Sequence, residues 1–412
     1  MTHDCEAVGR TFREASGRAV SALISMFGDI DLAEDAVQEA FTIALRKWPE
    51  TGVPPNPPAW IIATARHRAI DRLRREARGA QLLGKVAADP TSSSRTGDAP
   101  EDEPVPDDRL RLIFTCCHPA LAPQAQVELT LRLLCGLTTA EVARAFLTSE
   151  PTMAKRLVRA KHKIKFAKIP YRVPEESELP DRLPSVLTAI YLMYSAGQAK
   201  HGDGPDLCAE AIRLGRILRP LMPDEPEVAG LLGMLLLTES RRGTRTDADG
   251  DLVLLRDQDR TRWDRNLIEE GEALVRWCLR RNRPGPYQLQ AAIAAAHADA
   301  ATFEDTDWEL ILVLYDQLMV VAPTPVAALN RAVAFGEVHG ADAGLHEIEK
   351  LALPDYYPFH AARAAFLRRQ GRAAEAARAY EIASSLAPNG PEKDFLRRQA
   401  TGAQTGRPHQ TR

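Results

Sequence analysis

Residues 57–76 read PPAWIIATARHRAIDRLRRE. Pro57 and Pro58 suit the first turn of a helix, where a missing N–H removes no intrahelical bond. Behind them Ile62, Ala65, Ala69 and Leu73 recur at spacings of three and four, which predicts a helix with one apolar stripe. The other side carries His67, Arg68, Asp71, Arg72, Arg74 and Arg75. From Pro57 to Ala80 six arginines (66, 68, 72, 74, 75, 78) stand against two acids (71, 76), a local net charge of +4. Such a face fits a phosphate backbone, and Trp60 near its start offers a ring on which a base can stack. Taken alone, the pattern also fits an ordinary solvated amphipathic helix.

The full chain of 412 residues is long enough for two or three domains. It is 45% hydrophobic, 26% charged and only 6% aromatic, the profile of an Ala/Leu/Arg-rich helical protein. The net charge of −3 says little, because basic and acidic segments are separated along the sequence. The opening residues MTHDCEAVGR are polar and carry acids, unlike a signal peptide. Apolar runs such as Val228–Leu237 are too short to cross a bilayer. A cytoplasmic protein with no membrane partner is therefore expected. Six cysteines (5, 116, 117, 135, 208, 278) form no disulfide framework. Cys116, Cys117 and His118, with Cys135 nearby, are zinc-ligand types, but adjacent cysteines rarely serve one tetrahedral site and no C-x-x-C pair exists. No metal and no cofactor are expected. The absence of G-x-x-x-x-G-K-[ST], G-x-S-x-G and H-E-x-x-H leaves catalysis without an anchor, so the chain is not expected to be an enzyme.

Upstream, Arg10–Phe27 reads as a first helix broken at Gly28. Asp31, with Glu34 three residues later, reads as the cap of a second helix, LAEDAVQEAFTIALRKW. Ala33, Val37, Ala40, Phe41, Ala44 and Trp48 form its buried stripe, while Asp31, Glu34, Asp35, Gln38 and Glu39 leave an exposed acidic face. Acids at a helix N-terminus are also favoured by the macrodipole alone. A proline-rich loop, Pro49–Pro58, leads into the basic helix. The succession DLAEDAVQEAF and then PPAWIIATARHRAIDRLRRE resembles region 2 of a bacterial sigma factor, more narrowly one of the extracytoplasmic-function (ECF) class. The resemblance implies that Asp31, Asp35, Gln38 and Glu39 meet RNA polymerase core. It implies that Trp60, His67, Arg68, Asp71, Arg72 and Arg75 line the −10 side of promoter DNA, and that the loop Thr51–Pro57 holds a flipped base.

Residues 87–108 hold seven acids (89, 98, 101, 102, 103, 107, 108) against Arg95, a net of −6, and read as a flexible connector. In sigma factors the equivalent linker threads a basic polymerase channel; a plain solvated linker has the same composition. Beyond it, GLTTAEVARAFLTSEPTMAKRLVRAKHKI (136–164) predicts two short helices and a tight turn. Thr138 and Glu141 form a capping box, Ser149 caps the second helix, and Pro151 sits in its first turn. Met153, Leu157, Ala160 and Ile164 share one face; Thr152, Lys155, Arg156, Arg159 and Lys163 share the other. From Glu150 to Arg172 eight bases meet one acid, a net of +7. This is a helix-turn-helix pattern. Its place after the acidic linker resembles sigma region 4, which implies −35 recognition through Thr152, Lys155, Arg156 and Arg159.

After a second hinge, Pro170–Pro184, no strand signal appears. Pro323, Pro354 and Pro388 close helices at intervals of 31 and 34 residues. The last unit, with Ala364, Gly371, Ala376, Tyr380, Ala383 and Pro388, fits a tetratricopeptide-type (TPR) hairpin, while Leu207–Pro223 and Asn266–Arg283 are more degenerate. Residues 247–266 interrupt the run; Asp247-x-Asp249-x-Asp251 lacks the Gly and Glu of a calcium loop, and the charges around Trp263 predict a salt-bridged connection. The whole chain resembles ECF sigma factors carrying a TPR-like extension, which implies a regulatory role for that extension through intramolecular contact with the sigma modules. The expected fold is all-α: region 2 at 1–80, linker 81–107, region 4 at 108–170, hinge 171–184, TPR-like domain 185–400 and a disordered tail 401–412. The competing reading is a stand-alone helix-turn-helix regulator with a TPR sensor.

Overall fold

A computed structural model of the chain describes residues 2–82, 108–146, 148–198, 206–247, 250–387 and 390–405. Those residues are all-α, with helices and short 3-10 turns and no strand among them. Most of the acidic connector lies outside the described residues, as do Leu147, Asp249, Pro388 and residues 406–412. The chain divides into two compact units, Met1–Leu214 and Gly215–Arg412.

The first unit opens with a three-helix bundle, α1 (Thr2–Phe27), α2 (Ile30–Thr51) and α3 (Pro57–Leu82). Gly28 takes φ +69 and turns the chain between α1 and α2. The cap of α2 is Asp29, not Asp31: its carboxylate accepts from the N–H groups of Asp31 and Leu32. Asp31 thus lies inside the first turn, where the dipole favours it but no capping bond is needed. The helix carries Pro49 within its last turn and ends at Gly52, which shortens the expected proline-rich loop to 52–56. All six apolar residues expected on the α2 stripe are buried. On α3, Ile61, Ile62, Ala65 and Ala69 are buried, whereas Leu73, expected on the same stripe, is 41% exposed.

The helix-turn-helix follows as α4 (Arg109–Cys116), α5 (Pro123–Leu133), α6 (Thr139–Ala145) and α7 (Glu150–Phe166). The capping box at α6 is complete, with Thr138 accepting from the Glu141 N–H and Glu141 accepting from the Thr138 N–H. Ser149 caps α7 through the Thr152 N–H, and Met153, Leu157, Ala160 and Ile164 are buried as the spacing predicts. Cys116, Cys117 and Cys135 are packed in this core, and burial pushes the Cys117 thiol up to about 11. The expected hinge at 171–184 is mostly structured. Arg172 clamps Glu178 through two bonds of 2.6 and 2.8 Å, and α8 (Leu179–Gln198) already contains Pro184. Arg182 of α8 donates to the Phe114 carbonyl at 2.9 Å, so α8 packs on α4 and α5.

From α9 (Leu207–Leu221), which crosses the boundary, the second unit continues as α10 (Pro226–Glu239), α11 (Arg265–Arg281), α12 (Pro286–Asp299), α13 (Trp308–Val321), α14 (Pro325–His339), α15 (Ala341–Glu349), α16 (Tyr357–Arg369), α17 (Ala373–Leu386) and α18 (Pro391–Thr405). From α10 onward, consecutive helices pack as neighbours, as in a chain of helical hairpins. In the last hairpin Gly371 turns with φ +75, and Ala364, Ala376, Tyr380 and Ala383 are buried. α18 runs on to Thr405, past the point where a tail was expected. The charged segment 247–266 is also more than a salt-bridged connection. Arg260 is buried and donates to the carbonyls of His297 and Ala300 and to Thr306 Oγ1, and the buried Trp263 donates to Thr244 Oγ1 at 3.0 Å. Asp259 and Asp264 cap helical turns instead of pairing with it.

A tight seam of this unit lies where α10 meets the start of α12. Glu227 accepts from the N–H groups of Tyr287 and Gln288, and a Cβ at Gly230 would lie 2.6 Å from Gln288 N. Backbone cannot yield as a side chain does, so Gly230→Ala should cost about 1–3 kcal/mol by overpacking, against about 1 kcal/mol gained in helix propensity. A lower urea midpoint is the expected result. Gly243→Ala, where a Cβ meets nothing within 4 Å, should stay within about 0.5 kcal/mol of wild type.

Candidate polymerase and nucleic-acid interfaces

The acidic face of α2 and the basic face of α3 are not independent. Arg72 donates to Asp35 at 2.5 Å and to Glu76 at 3.1 Å, so a residue expected to meet polymerase and one expected to meet DNA bind each other. The hydrogen bonds from Asp35 and Glu76 hold the Arg72 guanidinium above its ordinary pKa. His67, Arg68, Asp71 and Arg75 remain exposed beside it. Trp60 is half-buried, with its ring edge-to-face against Trp48 at 5.5 Å, so part of the surface expected to stack on a base is used in packing. Gln38 and Glu39 are exposed on α2.

On α7, Lys155, Arg159, Lys163 and Lys165 are exposed, whereas Arg156 turns inward to Glu128 of α5. The Glu128 side chain is 2% exposed and lies 2.7 Å from the Arg156 guanidinium. Burial raises the Glu128 pKa, and Arg156 partly offsets this. Thr152 Oγ1 is bonded to Ser149 Oγ at 2.8 Å, within the cap itself. Of the four residues expected at a −35 element, Lys155 and Arg159 are therefore presented outward, Thr152 is exposed with its hydroxyl engaged in the cap, and Arg156 ties the helix to α5.

Sequence reasoning missed a third set. Glu34 and Asp31 of α2 face Lys161 of α7, at 3.1 and 2.5 Å, and Glu34 also pairs with Arg132 of α5. These partners are about a hundred residues or more apart in the chain, so no spacing rule could pair them. A cleft of about 120 Å³ lies beside them, lined by Leu129, Leu133, Ala154 and Leu157. Burial alone would lower the Lys161 pKa; Glu34 and Asp31 outweigh it, and the net shift is upward.

Comparison with known proteins bears on these surfaces. Over 393 residues the chain is 44% identical to the uncharacterised protein R00370 of Rhizobium meliloti, covering 93% of each, so the two are members of one family. It is 27% identical over 166 residues to the probable ECF RNA polymerase sigma factor SigI of Mycobacterium tuberculosis, 40% of this chain and 56% of that one. Residues 11–79 match sigma-70 region 2, and residues 111–164 match sigma-70 region 4. The chain carries the region 2 and region 4 domains of a sigma-70 factor.

Region 2 is accordingly the α1–α3 bundle and region 4 the α4–α7 module, the parts of a non-enzymatic initiation factor. Residues 182–279, from α8 to α11, match a family of unknown function (DUF6596). Among the described residues no helix is long and apolar enough to cross a membrane, and no cluster of three His, Cys, Asp or Glu side chains could hold a metal ion.

The ion pair inside region 4 gives a pH-dependent prediction. Because the folded pKa of Glu128 lies above its unfolded value, its contribution to stability is complete below the unfolded carboxylate range. It is lost as pH rises through the folded pKa. Arg156→Ala removes the offsetting charge and should destabilise the protein by about 3–5 kcal/mol at neutral pH. In urea titrations the gap between wild type and variant should narrow as pH falls through the carboxylate range. Adding Glu128→Gln should abolish that narrowing.

Proposed function

We propose that this protein is an ECF-class sigma factor that recruits RNA polymerase core to promoters, with region 4 on the −35 element and region 2 on the −10 element. The observation that carries this reading is the tandem of the two modules with opposite surfaces. The exposed, largely acidic face at the start of α2 (Asp31, Asp35, Gln38, Glu39) suits a basic polymerase surface. The exposed cations of α3 and α7 suit promoter phosphates and base edges. Arg68 and Arg75 with His67 track the −10 strand. Lys155 and Arg159 enter the −35 groove, positioned by Thr152 and Arg156.

Residues beyond region 4 regulate this activity in our reading. The packing of α8 on α4 and α5 supports it, since a change in α8 reaches the helix-turn-helix directly. The hairpins of the second unit provide a TPR-like scaffold whose fold alone does not fix a ligand.

Run-off transcription with purified core polymerase tests both parts. Promoter-dependent transcript from the full chain, absent with core alone, is the expected result; duplex binding without transcript would favour a stand-alone regulator. Residues 1–222 keep α8 and α9 intact, so a changed transcript yield from that fragment would locate regulation in the second unit. Lys155→Ala and Arg159→Ala should each weaken −35 duplex binding and each lower the salt slope by about one.

A further inference from the structure

The pairing of region 2 with region 4 goes beyond the reading above, although it rests on that reading's assignment of the acidic α2 face to polymerase. We propose that Lys161 and Arg132 form an ion-pair clasp on Asp31 and Glu34 that closes the free protein and competes with core polymerase for the same carboxylates.

Asp31 and Glu34 lie three residues apart on α2 and therefore share one face. That face receives Lys161 from α7, at 2.5 Å to Asp31 and 3.1 Å to Glu34, and Arg132 from α5, on Glu34. The Glu34 side chain is 13% exposed, Arg132 10% and Lys161 17%, so the three are largely withdrawn from solvent and weakly screened. Asp31 remains 71% exposed, a foothold from which an incoming basic surface can displace Lys161. Arg132 is further held by its bond to the Leu137 carbonyl at 2.8 Å, which fixes the clasp to the α5–α6 corner. Two further contacts between the modules are polar: Tyr171 Oη donates to the Ser21 carbonyl at 2.8 Å, and Arg111 to Ser25 Oγ at 3.0 Å. At Gly17 the two backbones nearly touch, since a Cβ there would lie 2.5 Å from the Leu134 carbonyl oxygen. The clasp also spends a cation of α7, the helix that carries the exposed Lys155 and Arg159, so opening frees the α2 carboxylates and returns Lys161 to α7 together.

The test uses the full chain with dyes at Leu45→Cys and Phe166→Cys, both exposed positions, with Cys5→Ser; the five other cysteines are buried. Energy transfer reports the closed state, and core polymerase binding is measured on the same proteins. Lys161→Glu breaks the clasp by charge, and Gly17→Val breaks the seam without touching a charged group. Both should lower transfer and tighten core binding about fivefold to tenfold. Transfer unchanged in both variants would overturn the clasp. Reduced transfer with unchanged core affinity would overturn the competition while leaving the sigma-factor reading intact. No core binding by any form would overturn that reading, and the competition with it.

Discussion

Glu34 is a carboxylate mostly withdrawn from water, and taking such a group out of water is costly unless it is paired. It is paired twice, by Arg132 and Lys161, and through these two bonds the α2 helix of region 2 is tied to α5 and α7 of region 4. Neither partner is interchangeable in kind. Arg132 spends part of its planar fork on the Leu137 carbonyl and so serves as a fixed post. Lys161 offers one compact ammonium shared between Asp31 and Glu34, and a shared point charge is the easier of the two to displace.

The helix faces were legible in the sequence because they are local. Apolar residues three and four apart on α2 and α7 are buried as expected, and the Thr138–Glu141 box and the Ser149 cap start α6 and α7 where their spacing places them. The errors have local causes as well. Asp29 outcompetes Asp31 as a cap because it stands one residue before the first helical turn, directly after the positive-φ Gly28. Pro49 does not end α2, which runs two residues past it to Thr51 at the loss of one N–H from the helical ladder.

The site was legible only by residue type. Counting charges on α7 identifies a basic helix but treats each cation alike, whereas the fold sorts them by what lies across from them. Arg156 meets a buried acid on α5, Lys161 meets α2, and Lys155 and Arg159 face outward. On α3 the same sorting ties Arg72 to Asp35 of α2, apart from the exposed Arg68 and Arg75. Such pairings join residues far apart in sequence, and periodicity carries no information about them.

This sorting changes how the charge of the helix-turn-helix is understood. A net of +7 over residues 150–172 suggests strong, unspecific attraction to any polyanion. With Arg156 neutralised by Glu128, Lys161 by Asp31 and Glu34, and Arg172 by Glu178, three of the eight bases are spent on holding the fold. The counterion release that governs unspecific DNA affinity scales with the phosphates actually neutralised, so the closed protein binds DNA less tightly than its sequence charge implies. Opening at α2 would return Lys161 to that face at the moment polymerase takes up the acids it was holding. Affinity for polymerase and affinity for DNA are then coupled through one lysine, and the coupling is reciprocal, as linkage requires.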